Sequence, residues 1–426
     1  MILSENGPRD LSALVVPPRG ALAATGDGWE PWRLLDPAGE VVISAAAFLR
    51  ELAACGRSVS TQRSYGMALL RWFRFVWAIG VAWDQATQVE ARDFSTWIRL
   101  TDKPVRPHWR AKDGEEVKQP VPEADRPTNA VTGKRPPGRK YAAATRAHSE
   151  SVLRAFYDFH RDAGTGPMVN PFPLARRRRD GRQHAHHNPM EPHRNEETGR
   201  YRPRLVPRQP RRIPDERFNE LFARLGSHRD RALVALWVST GARASELLGA
   251  TQGDTDPGQQ LITVMRKGSR ALQPLPAAPD AFVWLRLYQQ QMHDLVPAGR
   301  DQPLWWTLRR PFRPLSYHAA RRMFGRVNAL LGSNWTLHDL RHTAAYRMAR
   351  DPRMPITDVQ WILGHASLST TQLYVSPLPD DVIASVLAHH RRNIGQNTSA
   401  ADEPIIPPQV EYRRESLDVL FGRGTT

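Results

Sequence analysis

A chain of 426 residues has room for two or three domains with apolar cores of their own, which excludes a peptide or a single small module. Lys and Arg outnumber Asp and Glu by 60 to 43, a formal net charge of +17, and this favours a polyanionic partner: DNA, RNA or an anionic membrane. The membrane is disfavoured, because no stretch approaches the roughly 20 apolar residues that span a bilayer and the first residues carry no signal-peptide pattern, so a cytoplasmic, nucleoid-associated protein is expected. The one cysteine, Cys55, can form neither an intramolecular disulfide nor a multi-cysteine zinc site and reads as a small apolar helix residue.

Residues 1–40 carry scattered Gly and Pro with little periodicity and read as an N-terminal extension. Helical spacing of apolar residues begins at Val41. It runs over 41–52 and then over 60–79, where Tyr65, Leu69, Trp72, Phe73 and Val76 form one stripe and Ser60 is the candidate N-cap. A third helix is expected over 89–100, with Phe94, Trp97 and Ile98, and a fourth over 142–163, with Val152, Leu153, Phe156, Tyr157 and Phe159 on its apolar face. Residues 101–140 between them are proline-rich and charged, a long loop or insertion. Their Gly133 and Gly138 do not make a phosphate loop, since Arg139 and Lys140 follow where Lys and then Ser or Thr are required. Residues 41–165 thus read as a helical bundle.

Residues 166–213 form a basic linker rich in Pro and Arg. Counterion release makes clustered guanidinium groups effective on a phosphate backbone, so Arg176, Arg177, Arg178 and Arg179 are candidate DNA contacts. The nearby His184, His186, His187 and His193 have no thiolate or i, i+4 pairing to make a metal site. Helical periodicity returns at Pro214 and Asp215, with Phe218, Leu221, Phe222 and Leu225 on one face, and 232–239 reads as a buried helix. Strand character over 261–265, with a return strand over 272–275, gives a hairpin holding Lys267 near its tip. Helices are expected over 281–295, 316–331, 337–350, 356–363 and 380–391, and 392–426 is a tail. The class is therefore mainly α with a small β-hairpin or sheet.

Four short boxes stand in order within 214–391: Thr240-Gly241-Ala242-Arg243-Ala244-Ser245-Glu246-Leu247, His338-Asp339-Leu340-Arg341-His342-Thr343, Leu363-Gly364-His365, and Thr370-Thr371-Gln372-Leu373-Tyr374-Val375. A phosphodiester resists attack because its nonbridging oxygens are negative and its leaving alkoxide is poor. Two guanidinium groups, Arg243 and Arg341, suit the first problem, since each offers a rigid donor fork and stays charged. His338 and His365 would complete the cradle as donors or proton carriers. Glu246, three residues after Arg243, shares its helix face and would orient it. By residue type alone, Lys267 is an exposed hairpin lysine and an isolated tyrosine is a half-buried aromatic, the reading kept for Tyr346 and Tyr412. His342 is left outside the catalytic set, as a supporting or helix-packing residue. His338, Asp339 and His342 mimic a zinc-binding H-E-x-x-H helix, but the carboxylate is shorter and no third ligand is evident, so neither a metal nor another cofactor is expected.

These boxes resemble the tyrosine recombinases, the phage-integrase family of DNA breaking and rejoining enzymes. The resemblance is specific over 214–391; over 41–165 it rests on helix pattern and position alone, and the insertions near 101–140 and 176–212 depart from compact members. It implies a helical core-binding domain followed by a mixed α/β catalytic domain, together a C-shaped clamp on double-stranded DNA. It implies that Lys267 is the general acid and that Tyr374, nine residues after His365, is the nucleophile that leaves a covalent phosphotyrosyl bond, with no need of ATP or metal. Four protomers would assemble on two sites, with accessory DNA-bending proteins as further partners, and the arginine-rich insertions tilt the setting toward a mobile element. Type IB topoisomerase-like relaxation and a catalytically silent DNA-binding protein of the same fold remain as alternatives.

Overall fold

The computed structural model describes residues 9–104, 127–136, 138–175, 198–205, 211–375, 382–383 and 385–392; the run Arg176–Arg179 lies outside them. The chain divides into two compact units, Met1–Arg208 and Gln209–Thr426. The architecture is mainly helical with two small antiparallel sheets. Among the described residues no helix is long and apolar enough to cross a membrane.

The first unit is built on four helices, α1 (Ile43–Ala54), α2 (Val59–Ala78), α3 (Gln88–Leu100) and α4 (Ala143–Asp162). The cap of α2 is Ser58, two residues earlier than the expected Ser60. Its extended backbone aims the hydroxyl at the Thr61 N–H, whereas Ser60 already lies in the first turn. At α3, Thr87 and Glu90 form a reciprocal capping box, with the Glu90 carboxylate accepting the Thr87 N–H at 2.9 Å. The helices close on aromatic rings: Trp72 meets Phe94 and Phe172 edge-on at 5.2 and 5.3 Å, and the three are buried with Phe73, Phe156 and Tyr157. Cys55, read as an apolar helix residue, instead ends α1 and is exposed.

The N-terminal extension is more ordered than its composition suggests. Strand β1 (Ala21–Ala24) pairs antiparallel with β2 (Trp32–Leu35), Leu34 is fully buried, and the hairpin packs on α1 and α2. Gly66 makes the close approach possible, since a Cβ there would come within 2.6 Å of Leu22. Ahead of the hairpin, Arg9 reaches Glu90 and Asp93 at 2.9 Å each, tying the extension to α3.

In the second unit, α5 (Asp215–Ala223), α6 (His228–Thr240) and α7 (Ala244–Leu248) precede a three-stranded antiparallel sheet of β3 (Thr255–Asp256), β4 (Leu261–Met265) and β5 (Leu272–Pro276). Then follow α8 (Pro279–Met292), α9 (Tyr317–Leu330), α10 (Leu337–Arg350), α11 (Ile356–Leu363) and α12 (Leu368–Val375). Every residue from Ala232 to Trp237 on α6 is buried, and α8 and α10 pack against it. The short α12 was not expected, because Ser, Thr and Gln dominate it and its helical propensity is weak; contacts with α10 and α11 supply what propensity does not. Residues 382–383 and 385–392 are helical too, with Val382, Ile383, Val386 and Leu387 exposed.

The first core contains one polar relay that can be tested in isolation. Trp72 Nε1 donates to the Tyr157 hydroxyl at 2.9 Å, which donates to the Trp83 carbonyl at 2.8 Å. Tyr157→Phe leaves a buried donor and acceptor unpaired and should cost about 2 kcal/mol, read as a lower urea midpoint for the full-length protein.

Candidate active site

The site is assembled where several elements end. Helix α6 stops at Gly241, whose left-handed backbone (φ 63°) turns the chain so that Arg243 opens α7. Glu246, in the first turn of α7, is 3 % exposed and satisfies donors from three residues. One carboxylate oxygen takes the Arg243 guanidinium at 2.9 Å and the Lys267 backbone N–H at 3.0 Å. The other takes the Arg243 backbone N–H at 2.9 Å and the Arg266 guanidinium at 3.0 Å. Burial alone would raise the carboxyl's pKa, but the N–H groups of Arg243 and Lys267 and the Arg243 guanidinium outweigh it and hold it below the ordinary 4.5. Glu246 therefore joins α7 to the base of the β4–β5 hairpin, and Lys267 stands exposed at that hairpin's tip.

Arg341 on α10 has a different environment. It is 3 % exposed, and its hydrogen-bond acceptors are neutral: the Gly241 carbonyl at 2.7 Å, the Leu363 carbonyl at 2.7 Å and His365 Nε2 at 3.0 Å. Burial, reinforced by the charge of Arg243, pushes its pKa down to about 10, so it is still cationic at neutral pH. Arg266 likewise donates to the Ile362 carbonyl. The C-terminal carbonyls of α11, unsatisfied within the helix, thus receive two guanidinium groups. Gly364, left-handed at φ 60°, ends α11 and keeps a Cβ away from Arg266, whose Nε would lie 3.1 Å from it.

His365 follows that turn. With Nε2 accepting from Arg341, its Nδ1–H donates to the Thr371 hydroxyl at 2.9 Å. Burial and then the Arg341 charge push its pKa down to about 4, and the ring is neutral. Tyr374 lies one turn after Thr371 on the same face of α12, both buried. Its ring stacks on His365 with centroids 6.3 Å apart, and its hydroxyl meets His342 Nδ1 at 2.8 Å. His338 packs edge-on against His342, centroids 4.2 Å apart; desolvation, then Arg341, lowers its pKa. Asp339 is occupied in capping α10, accepting the Thr336 N–H at 2.6 Å.

The second unit therefore brings Arg243, Glu246, Arg341, His365 and Tyr374 into one connected constellation, with His338 at its edge beside His342 and Lys267 on the adjoining hairpin. Sequence reasoning missed Arg266, Thr371 and the contact of His342. The signals were present for two of them: Ile262 and Val264 face inward on β4 and Arg266, the next residue after the strand, continues that alternation, while Thr371 shares a helix face with Tyr374.

Glu246→Gln removes the charge that three residues converge on and should destabilise the protein by about 3 kcal/mol at neutral pH, as expected when a buried ion pair loses one partner. Because the folded pKa is depressed, this charge contributes fully above pH 4.5 and its contribution disappears as pH falls through the folded value. Denaturation of the two proteins across pH should show the gap closing in acid.

Residues 212–380 match the phage integrase family. The chain is similar to tyrosine recombinase XerC of Chlamydia caviae, 33 % identical over 181 residues, which covers 40 % of this chain and 56 % of the relative. It is also similar to tyrosine recombinase XerD of Neisseria meningitidis serogroup B, 28 % identical over 173 residues, covering 39 % and 56 %. The chain spans about half the length of the curated relatives it matches. Among solved structures, its fold is similar to that of the Tn1549 transposon integrase (residues 82–397) in complex with circular intermediate DNA, with a TM-score of 0.51 at 15 % identity over 80 % of this chain and 98 % of that one. The XerH site-specific recombinase bound to a palindromic difH substrate gives 0.50 at 15 % identity, over 84 % and 85 %. The segment that matches the phage integrase family contains the whole constellation from Arg243 to Tyr374.

Proposed function

We propose that the protein is a site-specific DNA recombinase that cuts and rejoins duplex DNA by transesterification, with Tyr374 as nucleophile. The observation that carries this reading is the buried Arg341 guanidinium, which bonds only neutral acceptors while Arg243 and Arg266 lie nearby and share a single carboxylate. Such a site has a surplus of positive charge in low dielectric and favours an anion. A phosphodiester seated there brings its phosphorus toward the Tyr374 hydroxyl. Arg243 and Arg341 stabilise the charge developing on the nonbridging oxygens, and preorganised donors of this kind cost no reorganisation at the moment of reaction. Glu246 holds Arg243, and Arg266 holds Glu246.

Attack by Tyr374 gives a phosphotyrosyl ester and a free hydroxyl on the departing strand. Lys267, exposed on a hairpin whose base is fixed through Glu246, can reach the leaving oxygen and protonate it. The ester keeps the energy of the broken bond, so a second hydroxyl can reverse the step without a nucleotide cofactor. The exposed Val382, Ile383, Val386 and Leu387 support a further element of the reading, in which the helical segment after the nucleophile docks on another protomer as four assemble on two DNA sites.

The test uses a duplex selected by the full chain from random-sequence DNA and nicked to trap the covalent product. Tyr374→Phe should bind it normally and form no protease-sensitive adduct, and Arg243→Ala or Arg341→Ala should each slow adduct formation by at least about 100-fold. An adduct formed by the Phe protein places the nucleophile elsewhere. Lys267→Ala should cut an ordinary duplex about 100-fold more slowly, yet cut at near the unsubstituted rate when the leaving oxygen is replaced by sulfur, which departs without a proton.

A further inference from the structure

Tyr374 needs a proton acceptor. It is 6 % exposed, and burial holds its pKa above that of an ordinary tyrosine even though Arg341 and Arg243 pull the other way. A protonated phenol is a weak nucleophile, and its proton must leave as the oxygen approaches phosphorus.

Three imidazoles belong to the site, and geometry separates them. His365 has both ring nitrogens engaged, Nε2 by Arg341 and Nδ1 by Thr371, and its ring lies nearly parallel to the tyrosine, interplanar angle 12°, presenting a face. Its basicity is also spent, with a pKa near 4. His338 touches the ring of His342 at an interplanar angle of 71°. Only His342 places a nitrogen on the hydroxyl, Nδ1 to oxygen at 2.8 Å, which is hydrogen-bonding distance for proton transfer. Its position is set by α10, one residue after Arg341, so the helix that positions the buried guanidinium also positions this nitrogen.

We propose that His342 is the proton acceptor for the attacking Tyr374. The inference rests on the transesterase reading given above and assigns a group to a step that reading leaves open. The Tyr374 oxygen bonds to phosphorus as the bond from phosphorus to the leaving deoxyribose oxygen breaks. The phenolic proton passes to Nδ1 of His342, which requires the neutral tautomer protonated on Nε2, and the leaving oxygen takes a proton from Lys267. One imidazolium is gained and one ammonium is lost, so the charge of the protein groups is unchanged, and the reverse transfers serve rejoining. His338 packs edge-on against the same ring of His342.

The experiment measures single-turnover adduct formation on the selected nicked duplex, with binding to the same duplex as the control for folding. His342→Ala should slow adduct formation about 100-fold or more while binding is unchanged. His342→Asn, which keeps a hydrogen-bonding group of similar reach without a base, should be similarly slow. Replacing Tyr374 by a difluorotyrosine, whose phenol ionises more readily, should restore at least about tenfold of the rate in the Ala protein. An unimpaired Ala protein overturns the inference, as does an Asn protein at the full rate, which would leave His342 a positioning residue, or an Ala protein that difluorotyrosine does not rescue. If the unsubstituted protein forms no adduct at all, the transesterase function falls, and the inference with it.

Discussion

The second unit depends on one arrangement: a guanidinium inserted between the ends of two helices. Arg341 joins the carbonyl of Gly241 at the end of α6 to that of Leu363 at the end of α11. Helix ends leave carbonyls without intrahelical partners, and burying them unpaired would be costly. A cation meets that need at the negative end of each helix dipole. The same bonds hold the arginine rigid and leave its charge uncancelled, because carbonyls are dipoles and carry no net charge. On the function proposed above, stability and anion affinity come from one placement.

Two left-handed glycines permit it. At Gly241 a Cβ would lie 2.8 Å from Leu363, and at Gly364 it would press on Arg266. The close approach of the two helix ends therefore needs both residues to lack side chains, in addition to needing their backbone conformation. Glu246 plays the complementary role on the other side, where its single negative charge organises Arg243, Arg266 and the hairpin. One carboxylate orders two of the three guanidinium groups without neutralising the set.

Much of this was legible in the sequence. Long amphipathic helices such as α2 and α4 announce themselves through period, and the β4–β5 hairpin through its β-branched run and turn residues. The boxes around Arg243, Arg341, His365 and Tyr374 marked the residues that the fold brings together. What stayed hidden was short or depended on distant partners. The strands of the N-terminal hairpin have four residues each, too few for a period to register, and their docking depends on the approach of Leu22 to Gly66, far along the chain. Helix α12 has weak propensity and exists through its neighbours. Arg266 looked like a second loop cation beside Lys267, although strand alternation turns it inward. His342 looked like packing because its partner, Tyr374, is thirty-two residues further on.

The hydrogen bonds that fix the arginines run among residues from Gly241 to His365, and none of them involves Tyr374. Tyr374, the proposed nucleophile, is carried by a separate eight-residue helix that comes afterwards in the chain. On the function proposed above, holding a phosphate and attacking it are consecutive modules along the polypeptide. On that same proposal, the grip on the strand is built by residues that precede α12, so the placing of that one short helix against α10 and α11 decides whether a bound site becomes a cut one.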